Sequence, residues 1–109
     1  MSVKYTHPEL NNTVNSPSGY YVPQKEIRLK YNGKEVLYVT GHAAIEASCC
    51  GVADWNYVLV PGYIVSWQKE KNDAGLPVSE VEPISDEAAK SDIRTIIQEA
   101  EDISPVEFW

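Results

Sequence analysis

The reactive side chains of this chain concentrate in one segment, His42-Ala-Ala-Ile-Glu46-Ala-Ser-Cys49-Cys50-Gly51. Its two cysteines are adjacent and are the only cysteines among the 109 residues. Imidazole, carboxylate and thiolate groups bind zinc and other transition metals, and a thiolate is also a nucleophile and a redox group. The segment is therefore the candidate thiol or metal site, although the sequence identifies neither a metal nor any other cofactor.

The geometry of this candidate site depends on the backbone of residues 42–50. A helix there would place all four reactive side chains on one stripe about 100° wide. The alanines favour a helix, and Gly51 suits its C-terminal cap, but the segment is so short that a loop is an equal alternative. Three interpretations of the cysteines stay open: packing as small hydrophobic residues, a metal or cluster site, and a redox or nucleophilic thiol.

Packing is the favoured interpretation, because adjacent cysteines chelate one tetrahedral ion poorly. A disulfide between Cys49 and Cys50 would be strained, since neighbouring Cα atoms lie about 3.8 Å apart and disulfides prefer roughly 4.4–6.8 Å. A strained disulfide of this kind suits a redox switch better than a stabilising cross-link. A nucleophilic thiol would need a base, for which His42 is one candidate and His7 a weaker one.

Cys49-Cys50-Gly51 resembles the short Cys-Cys-Gly signature of heterodisulfide-reductase-type cluster domains. The match covers three residues. Those domains carry further cysteines, including a Cys-x-x-Cys, and this chain has none. An intact cluster of that kind within one chain is therefore excluded, and the resemblance assigns no family.

Composition favours one small globular domain. The chain is 43% hydrophobic, enough for a core without disulfides or metal. Its net charge is −7, and residues 51–109 alone carry −8, which argues against nucleic acid as a partner. No apolar run approaches the roughly 18 residues of a membrane span, and the N-terminus lacks a secretory signal. We therefore expect no membrane partner and a cytoplasmic location.

The pattern of turn formers divides the chain into an N-terminal arm, residues 1–24, partly flexible, and a single α+β domain, residues 25–109. The clearest element is a hairpin, because Asn32-Gly33 is the preferred pair for a type I′ turn between two alternating strands. Lys25, Arg28, Lys30 and Lys34 form a basic strip on it that we interpret as a solvated strand face.

Further strands are predicted at 55–60 and 63–68, joined at Pro61-Gly62 by a type II turn or a wider connection, and at an edge over 78–82 between two prolines. Ser85 is the predicted N-cap of a helix that ends before Ser104-Pro105. The apolar stripe of this helix consists of Ala89, Ile93, Ile96, Ile97 and Ala100. The expected fold class is α+β: a small, mostly antiparallel sheet of four to five strands, a short Cys-bearing segment and one C-terminal helix, with an apolar tail docked on the sheet.

Two functions are consistent with these features. We favour a small non-catalytic accessory or protein-interaction module, since no serine-nucleophile or phosphate-binding motif is present. The alternative is a redox- or metal-linked protein that uses Cys49-Cys50. The aromatic residues exceed what one thin sheet and one helix readily cover, which predicts a homodimer or a protein partner. The expected contact residues are Tyr20, Tyr21, Trp55, Trp67 and Trp109.

Overall fold

The computed structural model describes residues 2–7, 14–16, 19–47, 51–103 and 105–109; for 14–16, 19–22, 43–47 and 51–55 it describes the backbone alone. The elements in chain order are β1 (Val3–Thr6), β2 (Val14–Ser16), β3 (Gly19–Tyr31), β4 (Lys34–Ala47), β5 (Gly51–Lys71), β6 (Pro77–Glu82), α1 (Glu87–Glu101) and β7 (Val106–Phe108).

The strands of the described residues form one sheet in the order β1-β6-β5-β4-β3-β2. β7 pairs with β5 in parallel, and every other pairing is antiparallel. The predicted α+β class, with a mostly antiparallel sheet and a C-terminal helix, is confirmed. The described sheet has seven strands rather than four to five, because β1, β2 and β7 are additional and one strand, β5, replaces the two predicted at 55–60 and 63–68.

The predicted hairpin between β3 and β4 is confirmed. Asn32 and Gly33 both have positive φ, 48° and 79°, as a type I′ turn requires. The register places Leu29 opposite Val36 and Ile27 opposite Tyr38. Since this register fixes which side chains face α1, the two-residue turn determines the alignment of the central strands.

Replacing Gly33 with valine should lower the free energy of unfolding by about 1 kcal/mol or more, because a β-branched residue resists positive φ. A Cβ at this position has no other atom within 4 Å, so the loss would be a backbone effect. Gly33→Asn is the matched control, since asparagine tolerates this conformation better. Urea unfolding measures both variants, and equal stability of Gly33→Val and the wild type would contradict the prediction.

β5 differs from its prediction, because it runs continuously through Pro61-Gly62 for 21 residues. On one side β5 pairs with β7 over 58–60 and with β6 from Tyr63 onward, so its neighbour changes at Pro61-Gly62. Proline has no N–H to donate, which suits a point between two pairing partners. The predicted turn is wrong: Pro61-Gly62 marks a change of neighbour and not a reversal of the chain.

β4 likewise continues through Gly41 to Ala47, where Ala47 is the partner of Gly51 on β5. Neither the helix nor the loop predicted for residues 42–50 forms over 42–47. Cross-strand pairing overrides the helix propensity of the alanines, which is a weak preference by comparison. Cys49 and Cys50 lie outside the described residues, so the predicted Cys-bearing segment is not confirmed.

The N-terminal residues contribute a strand to the sheet. β1 pairs with β6 from Val3 opposite Val81 to Thr6 opposite Val78, and the Tyr5 side chain is buried. β6 therefore lies between β1 and β5, and the prediction of an edge strand over 78–82 is wrong. The flanking prolines suggested an edge, but Pro77 starts the strand and Pro83 follows it, so neither removes a central hydrogen bond.

The helix α1 begins one residue later than predicted. Asp86 is its N-cap and accepts a hydrogen bond from the backbone N–H of Ala88 at 3.3 Å. Its buried face consists of Ala89, Ile93 and Ile97, which belong to the stripe that the sequence predicts. Within the part of the chain that the structure describes, no helix has the length and apolar character needed to cross a bilayer.

The sheet has a buried cluster on each face. Cluster A lies under α1 and contains Val36, Tyr38, Val58, Val60, Ile84, Ala89, Ile93, Ile97 and Val106. Cluster B lies on the other face and contains Tyr5, Leu37, Val39 and Val81, with Ile64 and Trp67 against it.

The sheet is strongly curled around cluster B. The side chain of His7, directly after β1, contacts that of Glu26 on β3. These two strands are four positions apart in the sheet, so a flat sheet would separate them by about 19 Å. The curl therefore brings the β1 end of the sheet over β3.

Candidate functional site

The predicted thiol or metal site does not have helical geometry over its described part. His42 and Glu46 lie on β4, opposite Asn56 and Val52 of β5. Positions four apart in a strand share a face but are separated by about 13 Å, so they do not meet as they would on a helix. No group of three potential metal ligands occurs among the described residues. A site that includes Cys49 and Cys50 stays a prediction.

The predicted contact residues fall into two groups. Tyr20, Tyr21 and Trp55 lie on β3 and β5, in the part of the sheet where only the backbone is described. Trp67 is half-buried, and Trp109 follows β7 with 42% of its surface exposed.

A largely buried polar relay, which the sequence does not predict, connects three side chains. The ring of His7 bonds through Nδ1 to a carboxylate oxygen of Glu26 and through Nε2 to Oγ of Ser79 at 2.7 Å. A carboxylate only accepts, so Nδ1 carries the proton, and a neutral ring then accepts the Ser79 hydroxyl proton at Nε2. Ser79 Oγ in turn accepts from the backbone N–H of Gln68 at 2.6 Å.

Aromatic side chains enclose this relay. The rings of Tyr5 and Trp67 meet the His7 ring edge to face, with centroids 4.9 and 4.7 Å away. His7 is 2% exposed and Ser79 is 0% exposed. Burial, and then the negative charge of Glu26, raise the pKa of the Tyr5 hydroxyl well above its usual value.

The order Glu26–His7–Ser79 is that of an acyl-transfer triad, but its surroundings differ from those of a working nucleophile. In such enzymes the serine oxygen is reachable, and nearby N–H groups point at the substrate oxygen. Here the serine is enclosed, and the Gln68 N–H points at the serine oxygen itself. The relay therefore acts as a structural network that joins β3, β5, β6 and the end of β1.

A sequence signal for this network existed in the alternation of Val3-Lys4-Tyr5-Thr6, which is typical of a half-buried strand. Continuing that period places His7 on the same face as Tyr5. Within the arm predicted for residues 1–24, His7 is only a weak candidate base. The partners of His7 are distant in the chain, and no local pattern indicates them.

An apolar pocket opens beside Trp109. We call it the Trp109 pocket, and its volume is about 60 Å³. The residues that line it are Val3, Lys4, Tyr5, Pro61, Val81 and Trp109. The Trp109 ring meets the Tyr5 ring edge to face at 5.5 Å, and the backbone N–H of Trp109 donates to the Val60 carbonyl at 3.0 Å. Val3 is 49% exposed at the rim. Large apolar side chains are thus held at the surface by ordered contacts.

A second cleft, of about 350 Å³, lies near the β3–β4 turn and has a mixed lining. Lys34 places its ammonium 4.9 Å from the centre of the Tyr63 ring. Burial raises the pKa of Tyr63, and the charges of Asp86 and Glu82 raise it further. The lining of this cleft includes the cation Lys34 and the carboxylates of Glu35 and Glu82, so the cleft does not carry charge of a single sign.

The basic strip of β3 and β4 does not form one surface. Arg28 lies 4.9 Å above the Trp67 ring and 3.7 Å from the Glu35 carboxylate, on the cluster B side of the sheet. Lys34 instead meets Tyr63, whose side chain packs against cluster A. Because the cations are divided and partly paired, they present no continuous basic face for a polyanion.

Comparison with known proteins finds no relative of this chain. No protein-family model matches the chain, and neither a curated protein nor a solved structure is significantly similar to it.

Proposed function

We propose that this protein is a small non-catalytic interaction module whose copies associate with one another through the Trp109 pocket. The observation that carries the proposal is the exposure of Trp109 and Val3 at a pocket whose lining is mostly apolar. Exposed aromatic anchors beside a small pocket are typical of contact hot spots, because their burial releases much apolar surface.

The enclosed relay supports the non-catalytic part of the proposal. Its serine is fully buried, so a substrate would have to displace β1 or Trp67 to reach it. Tyr5 belongs both to the relay surroundings and to the Trp109 pocket. The relay therefore holds one wall of the pocket in place, which reduces the ordering cost of binding a partner.

Sedimentation of the full chain over a wide concentration range tests the proposal. We expect reversible self-association that Trp109→Ala weakens by roughly tenfold or more in Kd, as removal of a hot-spot aromatic does. Val65→Ala is the matched control, because Val65 is 56% exposed and does not line this pocket. Far-UV circular dichroism and the unfolding midpoint show whether each variant keeps its fold.

A wild-type protein that stays monomeric at high concentration would contradict the proposal. Equal weakening by Trp109→Ala and Val65→Ala would also contradict it, because the contact would then not be specific to the pocket.

A further inference from the structure

The outer edge of β1 is an open sheet edge beside the Trp109 pocket. β1 stands first in the strand order, and no strand among the described residues lies on its far side. The N–H of His7 donates to the Pro77 carbonyl at 2.8 Å, so position 7 faces β6. Antiparallel strands alternate their bonding direction, and Lys4 and Thr6 therefore direct their N–H and C=O groups outward.

We propose that two copies of this chain associate by antiparallel pairing of their β1 edges, with the two Trp109 pockets flanking the contact. This inference rests on the proposed function and names its partner and its geometry. An edge-to-edge contact of this kind is isologous, because the same surface serves both copies around a two-fold axis. It would extend the sheet from one copy into the other.

Charge selects the register of this pairing. Lys4 opposite Lys4 of the second copy would place like charges together, which is unfavourable across strands. A two-fold axis at Tyr5 instead places Lys4 opposite Thr6 of the second copy. Both residues direct their backbone groups outward, so this register forms four backbone hydrogen bonds between the copies.

Charge also favours pairing of two copies at the β1 edge over pairing at the β3 edge, near the other end of the sheet. Lys4 forms an ion pair with Glu70, N–O 2.5 Å, so the β1 edge carries little unmatched positive charge. Beyond its pairing with β2, the β3 edge carries the exposed cations Lys25 and Lys30, and such cations resist edge pairing. Each copy has a net charge of −7, so salt should strengthen the association by screening the repulsion.

Thr6→Pro tests the edge directly, because proline removes the outward N–H and leaves the bonds of β1 to β6 in place. We expect Thr6→Pro to raise the dimer Kd at least about tenfold, from the loss of inter-copy hydrogen bonds, while the control Thr6→Ala stays near the wild type. Sedimentation equilibrium of the full chain measures Kd, and near-UV circular dichroism checks the fold.

Amide hydrogen exchange provides a second measurement if Thr6→Pro fails to fold. In the wild type, the amides of Lys4 and Thr6 should gain protection as the concentration rises through Kd, and unchanged protection would overturn the edge pairing. A dimer that Trp109→Ala dissociates and Thr6→Pro leaves intact would overturn the edge pairing while the proposed function stands. A wild-type monomer would overturn both.

Discussion

Gly62→Ala should be one of the most destabilising single substitutions in this protein, with an expected loss of about 3 kcal/mol or more in the free energy of unfolding. Gly62 has φ +153° and lies at the point where β5 changes its neighbour. A Cβ there would overlap the carbonyl oxygen of Glu82 and lie 2.8 Å from its carbon. The added Cβ is fixed by the Gly62 backbone and overlaps the Glu82 backbone, so no side-chain rotation can relieve the clash.

Gly75→Ala is the matched control for this prediction. Gly75 also has positive φ, +81°, but an added Cβ has no atom within 4 Å. Its loss should be about 1–2 kcal/mol, the backbone cost alone, and the difference between the variants then reports the overlap with Glu82. Urea unfolding with unchanged m-values measures both. Similar losses for the two variants would contradict the close approach of β5 and β6.

His7→Phe should cost about 3 kcal/mol, although phenylalanine preserves most of the ring packing. The substitution leaves the Ser79 hydroxyl and the Glu26 carboxylate without their shared partner inside the curled sheet. Ser79 keeps the bond from the Gln68 N–H, but a buried hydroxyl without an acceptor costs roughly 1–3 kcal/mol. The loss of a partner for the Glu26 carboxylate, which is 19% exposed, adds to this cost. The aromatic contacts with Tyr5 and Trp67 remain available, so the measured loss reports the hydrogen bonds.

Glu26→Gln is the conservative control, since a glutamine oxygen still accepts from Nδ1 of His7. Its cost should stay below about 1 kcal/mol. Ser79→Ala combined with His7→Phe should cost clearly less than the sum of the two single variants, because the three groups form one network. Additive losses, or a loss under about 1 kcal/mol for His7→Phe, would show that the relay is not a stabilising unit.

The elements that the sequence predicted well are those defined by neighbouring residues. Asn32-Gly33 requires a two-residue turn through its own backbone preferences, and the turn then sets the register of β3 and β4. The helix was recognisable from the 3.6-residue period of Ala89, Ile93 and Ile97. Its N-cap moved from Ser85 to Asp86, which has an equivalent capping side chain.

The features that the sequence did not predict depend on distant partners. Pro61-Gly62 has the composition of a turn, and only the change from β7 to β6 explains why β5 continues through it. Residues 42–47 are strand because β5 lies beside them, against their local preference for helix. His7 meets Ser79 across 72 positions in the chain, a pairing that no periodicity encodes.

The pairing of β1 with β6 also has a kinetic consequence. Val3 and Val81 are 78 positions apart, whereas the β3–β4 turn closes after two residues. Loop-closure entropy therefore opposes the docking of β1 more than it opposes the central hairpin, and β1 should join a sheet that is already formed. Gly33→Val would then act mainly by slowing folding, and His7→Phe mainly by speeding unfolding, so stopped-flow kinetics on these two variants would reveal the order of assembly.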